Sequence, residues 1–153
     1  MSHTPEYPME ENPSGQSSRE QYRSGQYPSG QRTTGFQMGE EHQRAITDLM
    51  NCSSIIQETL MYCLQQGGRH ADARHISLLM DTAEFCKTGT SVLFHSSPVS
   101  QRVVGVIAEV CQECATSCEQ FGDDSQMRAC YDACLRAANS CRRIFGTSTG
   151  SSF

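Results

Sequence analysis

The chain has 153 residues, a net charge of −5, 37% hydrophobic residues and no tryptophan. That length supports one domain, or two at most, and the acidic balance excludes a general nucleic-acid binder, which needs a clustered basic surface. No run of about 18 apolar residues occurs, so no membrane span is expected.

Residues 1–38 are built from Ser, Gly, Pro, Gln, Tyr, Arg and Glu. Such a composition buries too little apolar surface to offset the entropy of ordering, and a disordered tail is expected. It carries a short degenerate repeat: Asn12-Pro13-Ser14-Gly15-Gln16, Tyr22-Arg23-Ser24-Gly25-Gln26 and Tyr27-Pro28-Ser29-Gly30-Gln31. The tail reads either as a solubilising segment or as a docking peptide whose repeats make weak multivalent contacts with a partner or shell. The first residues have neither a basic stretch nor an apolar core of the secretory kind, so the expected compartment is the cytoplasm, where thiols stay reduced.

From Gly39 the composition changes, and Gly and Pro become punctuation. Gly67-Gly68, Ser96-Ser97-Pro98, Gly122-Asp123-Asp124-Ser125 and Gly146 bound four helical patterns, at roughly 39–66, 70–95, 98–121 and 124–145. Ser97 and Pro98 suit the N-cap and first position of the third. Long helices joined by short turns predict an all-α fold, an antiparallel up-down four-helix bundle. The domain reading is a tail over 1–38, a bundle over 39–146 and a flexible C-terminus over 147–153. Val103–Ile107 could pass for a strand but runs on into a helical pattern.

The chemistry lies in nine cysteines. A helix turns about 100° per residue, so spacings of 3, 4, 7 and 11 return to one face. Cys52 and Cys63 share a face of the first helix. Cys86 lies eleven residues after His75 on the second. Cys111, Cys114 and Cys118 line the third, and Cys130, Cys134 and Cys141 the fourth. Leu49, Ile56, Leu60, Leu79, Leu93, Val104, Ile107, Ala137 and Phe145 fall on the same stripes, so the thiols are expected to point inward. Counting down from the two turns at one end places Cys63 and Cys118 highest, then Cys114 and Cys130. Cys111 and Cys134 follow as a middle pair, and Cys52, Cys86 and Cys141 as a lower group.

Four readings of such thiols compete. Cysteine is a small core hydrophobe, which explains a few positions better than nine. Disulfides need Cβ atoms about 3.5–4.5 Å apart, closer than neighbours on one helix, so only cross-helix bridges qualify. Structural zinc and iron–sulfur sites favour short C-x₂-C knuckles or loops, which Cys111-x₂-Cys114 matches only superficially. Cu(I) is soft and prefers thiolate, and each bound ion would offset thiolate charge that a dry core cannot otherwise hold. Met61 and Met127 near the upper turns, with His70 and His75, could add ligands there, although His at a bundle mouth is commonly solvated. Met50 and Met80 read as core filler, and Glu113, Glu119, Asp123, Asp124 and Asp132 as solvated faces and caps. No base is paired with a single nucleophile and no Glu-x-x-His pair faces inward, so a binding protein rather than an enzyme is expected.

The runs Cys111-x₂-Cys114-x₃-Cys118 and Cys130-x₃-Cys134-x₆-Cys141, with Ala108-Glu109-Val110-Cys111-Gln112-Glu113-Cys114-Ala115, resemble the cysteine-rich four-helix-bundle copper storage proteins. The resemblance covers about residues 40–145 and is strongest over 104–143. It implies storage of several Cu(I) along the bundle core, a homotetramer and, for members without export signals, a cytosolic location. Inward positions held here by Ile56, Thr59, Leu79, Ala83, Ile107 and Ala137 or Ala138 would then reduce capacity. The alternative is a structural or cargo bundle docked by its tail, with thiols serving zinc, an iron–sulfur cluster or redox chemistry.

Overall fold

The structure is a computed structural model that describes residues 38–147. All but the last residue of the tail expected over 1–38, with its repeats, and nearly all of the 147–153 stretch lie outside the described residues. Four helices fill the span: α1 (Glu40–Gln66), α2 (Ala73–Phe94), α3 (Ser100–Glu119) and α4 (Ser125–Thr147), with a 3-10 turn, Gly68–Ala71, between α1 and α2. No strand occurs among the described residues, and Val103–Ile107 lies within α3.

Each helix packs on the next in sequence, α4 returns to α1, and the backbones of the diagonal pairs stay apart. Pairings across α1 and α4 run in opposite chain directions: Tyr62 with Asp124, Cys52 with Cys134, Asp48 with Ser140. This is the expected antiparallel bundle, since short turns leave successive long helices no other neighbour.

The helix boundaries follow local chemistry. Asp72 caps α2, its carboxylate accepting from Arg74 N and His75 N. Asp124 does the same for α4 through Gln126 N and Met127 N. Each cap satisfies two backbone donors that the first turn leaves unpaired. Two starts differ from expectation. α2 begins at Ala73 rather than near 70, because residues 68–71 close a turn of their own before Asp72 takes the cap. α3 begins at Ser100 rather than Pro98. There Ser96 takes φ +47° and the Ser97 hydroxyl accepts from Val99 N within a turn instead of capping a helix.

The inward stripe holds for Leu49, Ile56, Leu79, Leu93, Val104, Ile107 and Ala137, all fully buried, while Leu60 is half-buried. Three expected core residues are exposed: Met50, Met80 and Phe145. Each is one residue past a buried one, Leu49, Leu79 and Ile144, and one residue is about 100° of rotation. At the lower end Leu49 and Ile107 converge on Gly89. A Cβ built there would lie 2.7 Å from Ile107 Cδ1 and 3.0 Å from Leu49 Cδ1, so only glycine lets the two side chains fill that level.

Candidate metal centre

All nine thiols are free and buried, none more than 2% exposed. Two groups of three have their sulfurs within 4.8 Å of one another: Cys52, Cys86 and Cys111, and Cys114, Cys118 and Cys130. Cys52 Sγ is also 3.7 Å from Cys134 Sγ, and Cys86 Sγ is 3.8 Å from Cys111 Sγ. Every helix thus supplies one sulfur, Cys52, Cys86, Cys111 or Cys134, to a single layer. The second group, drawn from α3 and α4 alone, stands about one turn higher.

Above both lies a mixed layer. Cys63 Sγ is 3.6 Å from Met127 Sδ and 3.8 Å from His75 Nε2, and His75 Nδ1 is 2.8 Å from the Ser117 hydroxyl. Thiol, thioether, imidazole and hydroxyl here come from four different helices. Met127 is fully buried and His75 nearly so. The expectation of a solvated His75 is therefore corrected: the N-cap at Asp72 sets the register that turns position 75 inward.

Electrostatics follow from burial and sulfur–sulfur contact. Hydrogen bonding with Cys111, Cys134 and Cys86 holds Cys52 below the ordinary thiol range, against burial. Cys118, Cys130 and Cys134 do the same for Cys114. Their partners are pushed the other way: Cys86 chiefly by Cys111 and Cys52, Cys111 by Cys52, Cys118 and Cys134 by Cys114. One sulfur in each group ionises first and makes the next ionisation harder, so extra thiolates need a cation among them. Burial pushes Cys63 up to about 11 and Cys141 up to about 12. Burial lowers His75, favouring a neutral imidazole with a free nitrogen.

The levels expected from counting down the helices need correction. Cys52 and Cys86 do not form a lower group with Cys141; they join Cys111 and Cys134. Cys141 lies seven residues beyond Cys134, about 10 Å further along the axis. Counting from the turns treats the two at one end as level. They are not, because Tyr62, in the penultimate turn of α1, already faces Asp124, the residue before α4. The end of α1 and the 68–71 turn therefore overhang the α3–α4 turn.

The auxiliary candidates separate. Met127 and His75 touch Cys63. Met61 faces outward at 57% exposure, two residues and about 200° from Cys63 on α1. His70 Nε2 pairs with Asp124 Oδ2 at 3.0 Å rather than with a thiol. Sequence reasoning read Asp124 as part of the solvated faces and caps. It also accepts from the Tyr62 hydroxyl at 2.7 Å, and nothing in the local pattern signals a partner so far away in the chain. Burial raises its carboxyl, but hydrogen bonds from Met127 N, Tyr62, His70 and Gln126 N outweigh that and hold it low.

Comparison with known proteins gives this arrangement its relatives. The family profile described as Csp, copper storage protein, matches residues 38–146. The Nmul_A1745 protein of Nitrosospira multiformis has a similar structure, with TM-score 0.66 and 34% identity over 70% of this chain and 96% of that one. The copper storage protein Ccsp of Streptomyces lividans, solved with 10 copper equivalents, gives TM-score 0.67 and 25% identity over 75% of this chain and 94% of that one. An uncharacterized cysteine-rich protein of Bacillus subtilis (strain 168), YhjQ, is 24% identical over 107 residues, 70% of this chain and 98% of its own length. With the family's profile spanning the whole bundle, the chain belongs to the copper storage protein family.

Proposed function

We propose that the protein stores Cu(I) as cargo on its core thiols. The observation that carries this reading is the enclosure of nine thiols in one bundle, six of them in two three-sulfur groups. Soft thiolate sites suit Cu(I). Binding displaces the thiol protons, and the bound ions supply the positive charge that several buried thiolates require. Groups of three sulfurs, with a fourth from Cys134 at one of them, give a monovalent ion two or three neighbours at each step down the column.

All nine cysteines serve as ligands in this reading, with Met127 and His75 assisting Cys63 at the mouth. Met61 and His70 take no part in coordination. Ile56, Thr59, Leu79, Ala83, Ile107, Ala137 and Ala138 hold inward positions and keep capacity modest. Family membership supports storage rather than catalysis. In the same reading the protein is cytoplasmic and a homotetramer. Residues 1–38 are a separate tail able to dock the bundle on a partner, 39–146 the bundle and 147–153 a free end.

Anaerobic titration of the reduced protein with Cu(I) against a chromophoric chelator tests this. Several equivalents per chain, held more tightly than by the chelator, are expected. One equivalent or fewer rejects storage. Preferential retention of zinc, or visible iron–sulfur absorption, would favour the docked structural bundle instead.

A further inference from the structure

Every thiol of the column is shut off from solvent, so an ion cannot reach it without movement of some part of the fold. The lower end offers no such part: Leu49, Ile107, Leu93, Val104 and Ile144 close it, all at 1% exposure or less. The upper end is closed differently. Residues 67–72 form a strap that begins with two glycines in left-handed conformations, Gly67 at φ +69° and Gly68 at φ +54°. It then makes one 3-10 turn held by His70 N to Gly67 O and Asp72 N to Arg69 O. None of its residues is buried.

Two side chains tie this strap across the top. Arg69 Nη2 donates to the Gln120 carbonyl, and its guanidinium lies 4.9 Å above the Phe121 ring. His70 pairs with Asp124 and lies 4.5 Å from Phe121, centroid to centroid. The Phe121 ring in turn lies 4.9 Å from the ring of His75, whose Nε2 faces Cys63. A cavity of about 480 Å³ beside the strap is walled by Arg69, His75, Ser117 and Phe121 among others. It stops at His75.

We propose that the strap 67–72 is the gate of the thiol column, with Arg69 and His70 as latches and the cavity beside His75 as its port. The proposal rests on the storage reading for its cargo but not for its movement. When the latches on Gln120 and Asp124 release, the strap swings on Gly67-Gly68. Phe121 is then freed, and the way from the cavity past His75 to Cys63 and Met127 opens. A part fastened by a few partly exposed polar contacts is the first to open locally, whereas the apolar lower end opens only with the bundle. His70 is thus a positioning residue rather than a copper ligand.

The test uses Arg69→Ala/His70→Ala in the full chain, with Arg69→Ala alone as a milder variant should the pair disturb folding, checked by circular dichroism. The first readout needs no copper: the reduced apo protein is treated with N-ethylmaleimide and each cysteine followed by mass spectrometry. Cys63 should be labelled first in the parent chain and several-fold faster in the variant, with Cys52 and Cys141 unchanged. The second is stopped-flow Cu(I) uptake from a chelator, expected to be several-fold faster with the same final capacity. Unchanged Cys63 labelling, or Cys141 labelled first, overturns the gate. Faster labelling with slower uptake overturns the latch role and makes His70 a carrier of the ion. Absence of Cu(I) capacity in the parent chain would instead defeat the storage reading, while the labelling result would still decide the gate.

Discussion

The column is built at the residue scale from a conflict between thiol and environment. A buried thiol that no other thiol hydrogen-bonds stays neutral, because ionisation in a dry interior is costly. Cys63 and Cys141, raised to about 11 and about 12, express this directly. A raised thiol value means that the folded state holds its proton where the unfolded chain releases it. That contribution is complete below the ordinary thiol value near 9 and is lost as pH climbs through 11 and 12. The apo protein should therefore melt at progressively lower temperature from about pH 9 to about pH 12 in a calorimetric series. Cys63→Ala should flatten part of that fall. Loading runs in the opposite sense, because Cu(I) replaces protons: chelator competition should show weaker retention as pH falls from about 8 to about 5.

The helices, as elements, carry two duties, holding sulfur in register and sealing the lower end. Sealing depends on Gly89. Alanine is the better helix former by about 1 kcal/mol, yet its methyl group would meet the ends of Ile107 and Leu49, both fully buried, and these would have to shift. Overpacking of this kind costs about 1–3 kcal/mol. Gly89→Ala should then lower the thermal midpoint despite its helix propensity, and Gly89→Ala/Ile107→Val should recover most of the difference. The upper ends of α2 and α4 depend on Asp72 and Asp124 as caps. Asp124→Ala should destabilise the apo protein by about 1–2 kcal/mol in urea unfolding. The upper figure applies because the substitution also removes the acceptor for Tyr62 and His70.

For the whole molecule, the two three-sulfur groups make separable predictions. Ser at Cys52, Cys86 and Cys111 should remove the lower group's share of Cu(I) and leave that of Cys114, Cys118 and Cys130. Ser at Cys114 and Cys118 should do the reverse. The capacity deficits of the two variants should add if the groups load independently. In both, the helical circular-dichroism signal should persist; its collapse would mean that the thiols serve packing alone. Loading should also raise the thermal midpoint, since the cargo binds the folded state.

The sequence by itself determined the helices, their turns and the direction in which each cysteine points. These are short-range matters: a period of 3.6 residues and caps such as Asp72 and Asp124 act within a few residues. It also carried the family likeness, through Cys111-x₂-Cys114-x₃-Cys118. It missed by a single residue at Met50, Met80 and Phe145, where rotating one position turns a core side chain outward. Counting down from the α3–α4 turn already put Cys114 and Cys130 at one level, as they are; only the tertiary structure decided which of these sulfurs those of α1 and α2 meet. That depends on the axial offset between helix pairs, set by the overhang of α1 and the strap across the α3–α4 turn. An offset of that size moves Cys52 and Cys86 from the company of Cys141 to that of Cys111 and Cys134. The same long-range docking turned His75 toward Cys63 and His70 toward Asp124, because a periodic pattern fixes a residue's face but not the height at which another helix meets it.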